Sequence, residues 1–416
     1  MVSRGSGWLD GVLAVGLGIT LLAAADWLVP PATVPFDGHG ERFAAMAQAP
    51  FEFTGAFPHR LLWPVLAWLA GACGVGPVAV SHALGGALLA VVAYWLRRRG
   101  LDWPGTILAT AAVAASGGVL VYQAMACFSD SLNLLLLVLT VQLAARPGWF
   151  WGLVLLAAFS HELVFFLSPW LLWLRRQHGG SWRADGLRLG VVLAIYTGFR
   201  LLVGWLGSGA YDASYYVANN FWVPWGLPAM WALWGLVVLV EFGPLLVLAV
   251  ALAKVGDPAL GGRTGVVLYG LCLLPLMVLA YDVMRFAAFV MLPVLAGAAW
   301  LARGRAGQVL LLLLVGAAAV CYRWTHPDPA AQGGAAFTTL SGDVLALLPG
   351  RVEADRPMAW HHAWSFTVEL LCRRASIWLG ALLAAILVGV VGWQLPGWLA
   401  IASRDQGRSS PKPAGP

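Results

Sequence analysis

Charged residues are scarce in this chain: they make up 11% of its 416 residues, whereas hydrophobic residues make up 60%. No soluble core needs that much apolar surface, so a soluble globular protein is excluded. The 23 tryptophans and a mean hydropathy of +0.79 agree with this reading. The composition predicts an all-α, polytopic transmembrane helical bundle.

A continuous basic surface is also lacking, although the net charge is +6. The arginines occur singly or in twos and threes beside apolar segments, as in Arg97 to Arg99. Such a pattern sets membrane topology and offers no face that could follow the phosphates of DNA. The expected partners therefore include membrane lipids and no nucleic acid.

Cysteine motifs are missing as well, because the five cysteines form no CxxC pair. Neither a zinc site nor a thiol redox site is indicated. Cys321 and Cys372 flank the last large loop and could form a disulfide if that loop faces an oxidising compartment. The alternative is that all five are small buried hydrophobic residues.

Apolar segments predicted to span a membrane recur along the chain. They are residues 8–29, 75–96, 103–122, 132–145, 189–207, 229–252, 266–280, 286–302, 309–322 and 377–393. The first is interpreted as a span and not as a cleaved signal peptide, because it lacks a strongly basic n-region. The stretch from Leu61 to Gly71 is too short to cross and is predicted to be an interfacial helix.

The segment from Gly148 to Leu174 allows either one long tilted helix or two half-length crossings. One crossing would place Arg175 and Arg176 opposite Arg97 to Arg99, whereas two crossings keep these arginines on one side. The second choice predicts about 12 spans with both termini cytoplasmic. The transmembrane domain would be residues 1–402, with outer loops 30–60, 208–228 and 323–375, followed by a disordered cytoplasmic tail at 403–416.

The first outer loop gathers several ionisable groups. Asp37 and Glu41 are interpreted either as residues of a helix start, with Asp37 as the N-cap, or as a general base and a second acid at the membrane edge. His59 and Arg60 could bind lipid phosphates at the headgroup level, or they could recognise a phosphate that belongs to a substrate.

Other ionisable groups fall within or beside apolar segments. Asp130 is either a helix cap or a site residue, and the adjacent His161 and Glu162 must face a partner or water. Asp282 and Arg285, three residues apart, form either an ion pair or part of a site. Arg200 could pair with Glu241 in a buried salt bridge, or it could line a cavity and hold an anionic head group.

No metal site is predicted. The last outer loop contains His326, His361 and His362 with several carboxylates, but no HxxxH or HExxH spacing occurs. These residues are expected to be solvated loop residues. The sequence does not exclude a divalent metal but does not favour one, and no cofactor is expected.

The order of these motifs resembles the GT-C superfamily of polytopic glycosyltransferases. The resemblance is carried by Asp37 after the first span, the HRLLWP turn at His59, the SDSLN sequence at Asp130, the HE pair at His161, and the late DVMR sequence ending at Arg285. It extends over about Trp8 to Ala302. Within the superfamily, the chain is similar to bacterial members related to dolichyl-phosphate-mannose-type and aminoarabinose-type transferases.

The resemblance implies an enzyme that transfers a sugar, with inversion, from a polyprenyl-phosphate donor to a lipid, glycan or protein acceptor on the extracytoplasmic face. It implies a location in the bacterial cytoplasmic membrane. Asp37 would be the catalytic base and Glu41 a second acidic candidate. Arg60, Arg200 and Arg285 would contact the donor phosphate, with His59, Asp130, His161, Glu162 and Asp282 as further substrate-binding residues.

The chain departs from the family pattern in two ways. His161 stands where many members have a lysine, and no large soluble C-terminal domain follows the spans. A transporter or flippase for a lipid-linked or anionic solute is the alternative function, with His161, Glu162, Arg200 and Glu241 as an intramembrane relay.

Overall fold

The computed structural model describes residues 7–35, 39–53, 57–207, 235, 237–279, 283–325 and 375–408. Within these ranges the chain is helical and contains no β-strand. The helices are α1 (Gly7–Leu28), α2 (His39–Met46), α3 (Leu62–Ala72), α4 (Pro77–Arg98), α5 (Trp103–Ala114), α6 (Gly117–Ala124), α7 (Asp130–Gln142), α8 (Pro147–Ser160), α9 (Ser168–Gln177), α10 (Trp182–Leu206), α11 (Val237–Val255), α12 (Gly262–Leu279), α13 (Val283–Ala287), α14 (Met291–Leu301), α15 (Arg305–Thr325) and α16 (Ala375–Arg408). The all-α prediction is therefore confirmed for the part of the chain that the structure describes.

Among the described residues, six helices are long and apolar enough to cross a membrane: α1, α4, α10, α11, α15 and α16; the bent pair α5 and α6 would be a seventh if it forms one span. Their outward faces carry large exposed hydrophobic side chains, such as Trp8 on α1 and Leu201 and Trp205 on α10. Exposure of these side chains to water would be unfavourable, whereas contact with lipid would not be. These faces and lengths are consistent with the predicted membrane protein with transmembrane helices.

Polar contacts collect the arginine-rich turns at one end of the bundle. Arg97 pairs with Asp10 at 3.3 Å, so the start of α1 meets the end of α4. Arg99 pairs with Asp257, in the turn between α11 and α12, at 2.7 Å. The arginine-rich turn after α4 therefore lies beside both the start of α1 and the turn between α11 and α12.

Helices α8 and α9 form a hairpin that returns to the same end of the bundle. Arg175, near the end of α9, donates a hydrogen bond to the carbonyl of Ala144, just before α8. Asp185, in the first turn of α10, accepts from the indole of Trp151 on α8 at 2.8 Å and pairs with Arg175 at 3.3 Å. The break between α8 and α9 begins at His161, where the backbone is extended. This geometry favours two half-length segments over one long helix.

The predicted span 103–122 is interrupted in the structure. Helix α5 ends at Ala114, α6 begins at Gly117, and the two axes are bent by 52°. Ser116 has an extended backbone and is the N-cap of α6, but its hydroxyl donates to the carbonyl of Val113 at 2.7 Å and does not cap the new helix. The first turn of α6 therefore keeps unpaired N–H groups toward the helix break.

Most other segments agree with the predicted positions, with shifted ends. The short helix after the first loop is α3, at residues 62–72. Helix α10 begins at Trp182, before the predicted residue 189. The prediction began too late because the first two turns of the helix contain the charged residues Arg183, Asp185 and Arg188, which interrupt the apolar pattern. Helix α16 continues to Arg408, so the prediction that a disordered tail begins at residue 403 is wrong for its first residues.

Candidate functional site

A buried ion pair joins the first outer loop to the α8–α9 break. The guanidinium of Arg60 donates to both carboxylate oxygens of Glu162, from Nε at 3.0 Å and from a terminal nitrogen at 2.7 Å. His59 Nε2 lies 3.5 Å from the same carboxylate. His59 and Arg60 are 3% and 4% exposed, so the interpretation that they contact lipid head groups at the surface is wrong.

A second buried ion pair lies beside the first. Asp130 is the first residue of α7, and its carboxylate accepts a hydrogen bond from Arg285 Nε at 2.7 Å. Ser129 occupies the N-cap position. The interpretation of Asp130 as a helix cap is therefore wrong, because its carboxylate is committed to an arginine far along the sequence.

His161 lies between the two ion pairs. Its Nδ1 accepts the backbone N–H of Leu163 at 3.2 Å, so the neutral ring carries its proton on Nε2. That nitrogen is 3.9 Å from Asp130, and Nδ1 is 3.7 Å from Glu162. The imidazole thus lies between the two carboxylates, and the prediction that the His161 and Glu162 pair must face a partner or water agrees with this arrangement.

Aromatic rings support both arginines. The guanidinium of Arg60 lies 4.3 Å from the centre of the Phe57 ring, and that of Arg285 lies 4.2 Å from the centre of the Phe128 ring. Phe43 of α2 contacts both of these rings. Helix α2 therefore covers the paired arginines from the side of the first outer loop.

The turn before Asp130 is strained. Cys127 has φ of 73° although it is not glycine, and its side chain is completely buried. Its N–H donates to the Ser81 hydroxyl at 2.9 Å. Left-handed backbone in a residue with a Cβ is uncommon and is frequent near functional sites, and here it brings the chain from α6 into α7 at Asp130.

Arg200 extends the positive charge of the site beyond the two ion pairs. It lies on α10, half-buried, and its charge acts on His59 and on the Tyr196 hydroxyl. No carboxylate of the described residues pairs with it, whereas Arg60 and Arg285 each face one. Since those two pairs are neutral overall, Arg200 adds a positive charge to the described part of this region.

His59 is held neutral by its surroundings. Burial lowers the pKa of its imidazole below the usual value, and the positive charges of Arg60 and Arg200 act in the same direction. The carboxylate of Glu162 opposes them. His59 therefore adds a polar group to the site, but no charge at neutral pH.

Several predicted site residues fall elsewhere. Asp37 and Asp282 lie outside the described residues, so their roles stay predictions. Glu41 is in the first turn of α2, as predicted, and its side chain is exposed, away from the ion pairs. The proposed pairing of Arg200 with Glu241 is wrong, because Glu241 packs against Gly117 at the α5–α6 break and accepts no hydrogen bond.

Sequence reasoning missed Tyr122, Tyr196 and the aromatic rings under the arginines. Tyr122 donates from its hydroxyl to the backbone carbonyl of Arg285 at 2.8 Å and so fixes the segment that carries the guanidinium. Tyrosines are common in membrane helices, so nothing in their local sequence marked these two. Of the predicted loop 323–375, residues 323–325 end α15 and Ala375 begins α16, whereas residues 326–374, Cys372 included, lie outside the described residues, as does the whole of loop 208–228.

Comparisons with protein-family models, with curated proteins and with solved structures give no match to this chain.

Proposed function

We propose that this protein is a membrane glycosyltransferase that uses a polyprenyl-phosphate-linked sugar. The observation that carries the proposal is Arg200, a half-buried cation without a carboxylate partner among the described residues, next to two neutral arginine–carboxylate pairs. An arginine matches phosphate oxygens with two parallel hydrogen bonds. A lipid-linked phosphate could reach it from the membrane, because α10 exposes Leu201 and Trp205 on its outer face.

The remaining groups suit the same chemistry. Arg60 and Arg285 belong to the two neighbouring ion pairs beside His161. In the proposed complex each could donate some of its hydrogen bonds to the donor phosphate. In the proposed reaction, Asp37 takes the proton of an acceptor hydroxyl, and the hydroxyl oxygen attacks the anomeric carbon. The bond from that carbon to the phosphate oxygen breaks, and its electron pair leaves on polyprenyl phosphate. Arg200 would stabilise this negative charge as it develops.

The finer architecture belongs to the same proposal. We infer about 12 crossings with both termini cytoplasmic and the site toward the extracytoplasmic face. The contacts that gather the arginine-rich turns at one end support this, as does the α8–α9 hairpin that returns there. In this arrangement the chain lies in the bacterial cytoplasmic membrane, with loops 208–228 and 323–375 available to bind the acceptor.

The test of the base is transfer of a radiolabelled sugar from the lipid donor in proteoliposomes that also contain a bacterial envelope extract as acceptor. Asp37→Asn should lower the transfer rate by a factor of about 10² to 10⁴, the usual contribution of general base catalysis. Glu41→Gln is the control and should change the rate little, because its side chain is exposed. Transfer at the wild-type rate by a folded Asp37→Asn protein would refute this assignment.

A transporter or flippase is the second candidate, and one observation favours it. Glu241 is a buried carboxyl group inside α11 that packs against a broken helix. Broken helices with ionisable groups are typical of secondary transporters. Uptake of the labelled lipid-linked sugar across proteoliposomes without its chemical conversion would favour this candidate over the transferase.

A further inference from the structure

Glu241 is the one buried carboxyl group of the described chain that the proposed reaction does not use and that accepts no hydrogen bond there. It lies inside α11, it is 1% exposed, and both carboxyl oxygens lack a hydrogen-bond partner. By contrast, the buried carboxylates of Asp130, Asp185 and Asp257 are each paired with an arginine. Glu241 therefore needs a different explanation from these structural ion pairs.

Among the described residues, the surroundings of Glu241 contain very little charge. The apolar bodies of α5, α6 and α14 carry no Asp, Glu, Lys, Arg or His. A negative charge on Glu241 would act on the buried Tyr322 of α15. An ionised carboxylate without a counter-charge or a hydrogen bond is very unfavourable in a medium that excludes water. In the arrangement seen here, the side chain is therefore the neutral acid.

The helix break offers an alternative place for the charged form. A Cβ on Gly117 would lie 2.5 Å from Glu241 Oε2, so the carboxyl group rests against the first residue of α6. The hydroxyl of the N-cap Ser116 points back to Val113, so no side chain caps this helix. Free N–H groups and the positive end of the helix dipole stabilise an anion at this position. A small rotation would bring the carboxylate within their reach.

We propose that Glu241 and the first turn of α6 form a proton-binding site in the membrane interior. The carboxyl group is neutral when it rests against Gly117. It becomes ionised when it moves so that the N–H groups of Gly117 and Gly118 donate hydrogen bonds to it. The ligand is a proton and not a metal cation, because the described residues contain no group of three or more His, Cys, Asp or Glu side chains that could hold a metal ion. This inference does not depend on the proposed sugar transfer.

Infrared spectroscopy of the purified full-length protein in detergent tests the proposal directly. The wild type should show the carbonyl stretch of a protonated carboxylic acid, shifted in deuterated buffer and absent from Glu241→Gln. The band should lose intensity as the pH rises. A wild-type spectrum identical to that of Glu241→Gln, or a band that does not titrate, would overturn the proposal.

Carbodiimide labelling gives a second readout, because dicyclohexylcarbodiimide reacts with protonated carboxyl groups in apolar surroundings. Mass spectrometry should locate the adduct on Glu241 and not on Glu162, which is paired with Arg60. Loss of the adduct on addition of sodium ions at constant pH would contradict a proton site and indicate a cation site. Labelling that falls as pH rises and does not respond to sodium would support the proposal.

Discussion

At the scale of single residues, the contact between Arg60 and Glu162 connects two segments that are 102 positions apart in the chain. Both groups lose water in the folded protein, and each satisfies the other with two hydrogen bonds. Removing one partner of such a pair lowers the stability of the protein far more than replacing both, because a single buried charge then remains.

We predict that Glu162→Gln lowers the free energy of unfolding by about 3 kcal/mol. The substitution replaces the carboxylate that accepts two hydrogen bonds from the buried Arg60 by a neutral amide, while the side-chain size is kept. Unfolding in mixed micelles of increasing sodium dodecyl sulfate measures the change. Glu52→Gln, at an exposed position in the same loop, is the control and should have almost no effect. Equal stabilities of the two variants would show that the ion pair contributes nothing.

The neutral state of His59 predicts a pH dependence of stability. Burial lowers the pKa of His59 in the folded protein, whereas in the unfolded chain the pKa stays near its usual value of 6.5. Below that value the unfolded chain binds a proton that the folded protein binds less readily, so stability falls as pH falls. The loss stops once the pH is below the folded-state pKa.

The same unfolding assay, repeated at several pH values, checks this. His59→Gln should lose less stability than the wild type as the pH is lowered through the region below about 6.5. Two curves that stay parallel would mean that His59 does not titrate differently in the folded and unfolded states.

Local sequence identified much of this cluster because an ionisable residue inside apolar sequence is expensive and therefore conspicuous. His161 and Glu162 stand out on that basis, whereas His59, Arg60, Asp130 and Arg285 stand out as ionisable residues at the ends of apolar segments. The partners were not predictable, because Asp130 and Arg285 are 155 positions apart and nothing in the sequence between them encodes their contact. Arg200 was matched with the wrong carboxylate for the same reason.

At the scale of elements, the break between α5 and α6 has the clearest consequence. Gly117 and Gly118 let two neighbours approach closely: Glu241 on α11 and Met291 at the start of α14. Hydropathy alone predicted one continuous span here, because serine and glycine do not interrupt an apolar average. The neighbouring helices determine the bend, and they are distant in sequence.

Gly117→Ala should destabilise the protein by about 1 to 3 kcal/mol, because its Cβ would lie 2.5 Å from Glu241 Oε2. Gly190→Ala on α10 is the matched control, since nothing lies within 4 Å of the position of its Cβ. The control should be neutral or should gain up to about 1 kcal/mol from better helix propensity. Unfolding in mixed micelles compares the two, and equal effects would mean that the break is not closely packed.

At the scale of the whole molecule, the α8–α9 hairpin determines the sidedness of everything after it. We expect Ala145→Cys and Gln177→Cys to face the cytoplasm, and Glu52→Cys to face outward. All three positions are exposed, and the background carries Ser in place of Cys73, Cys321 and Cys372, so that none of these native cysteines contributes to the labelling. The arginine contacts of Arg175 hold both ends of the hairpin together, so a single crossing is not expected.

A membrane-impermeant maleimide applied to intact cells measures this. It should label the cysteine at position 52 and should label those at 145 and 177 only after the membrane is opened. Labelling at position 177 but not at 145 in intact cells would indicate a single crossing and would invert every later loop.

The central claim is that Arg200 holds the phosphate of a lipid-linked sugar, and binding of a radiolabelled polyprenyl-phosphate sugar to the purified protein tests it most directly. Arg200→Ala should weaken binding by about tenfold or more, which is the value of one charge-assisted hydrogen bond lost from a phosphate. Arg183→Ala, exposed at the opposite end of α10, should bind like the wild type. If Arg200→Ala and Arg183→Ala bind the donor equally well, or the wild type does not bind it, the account is contradicted.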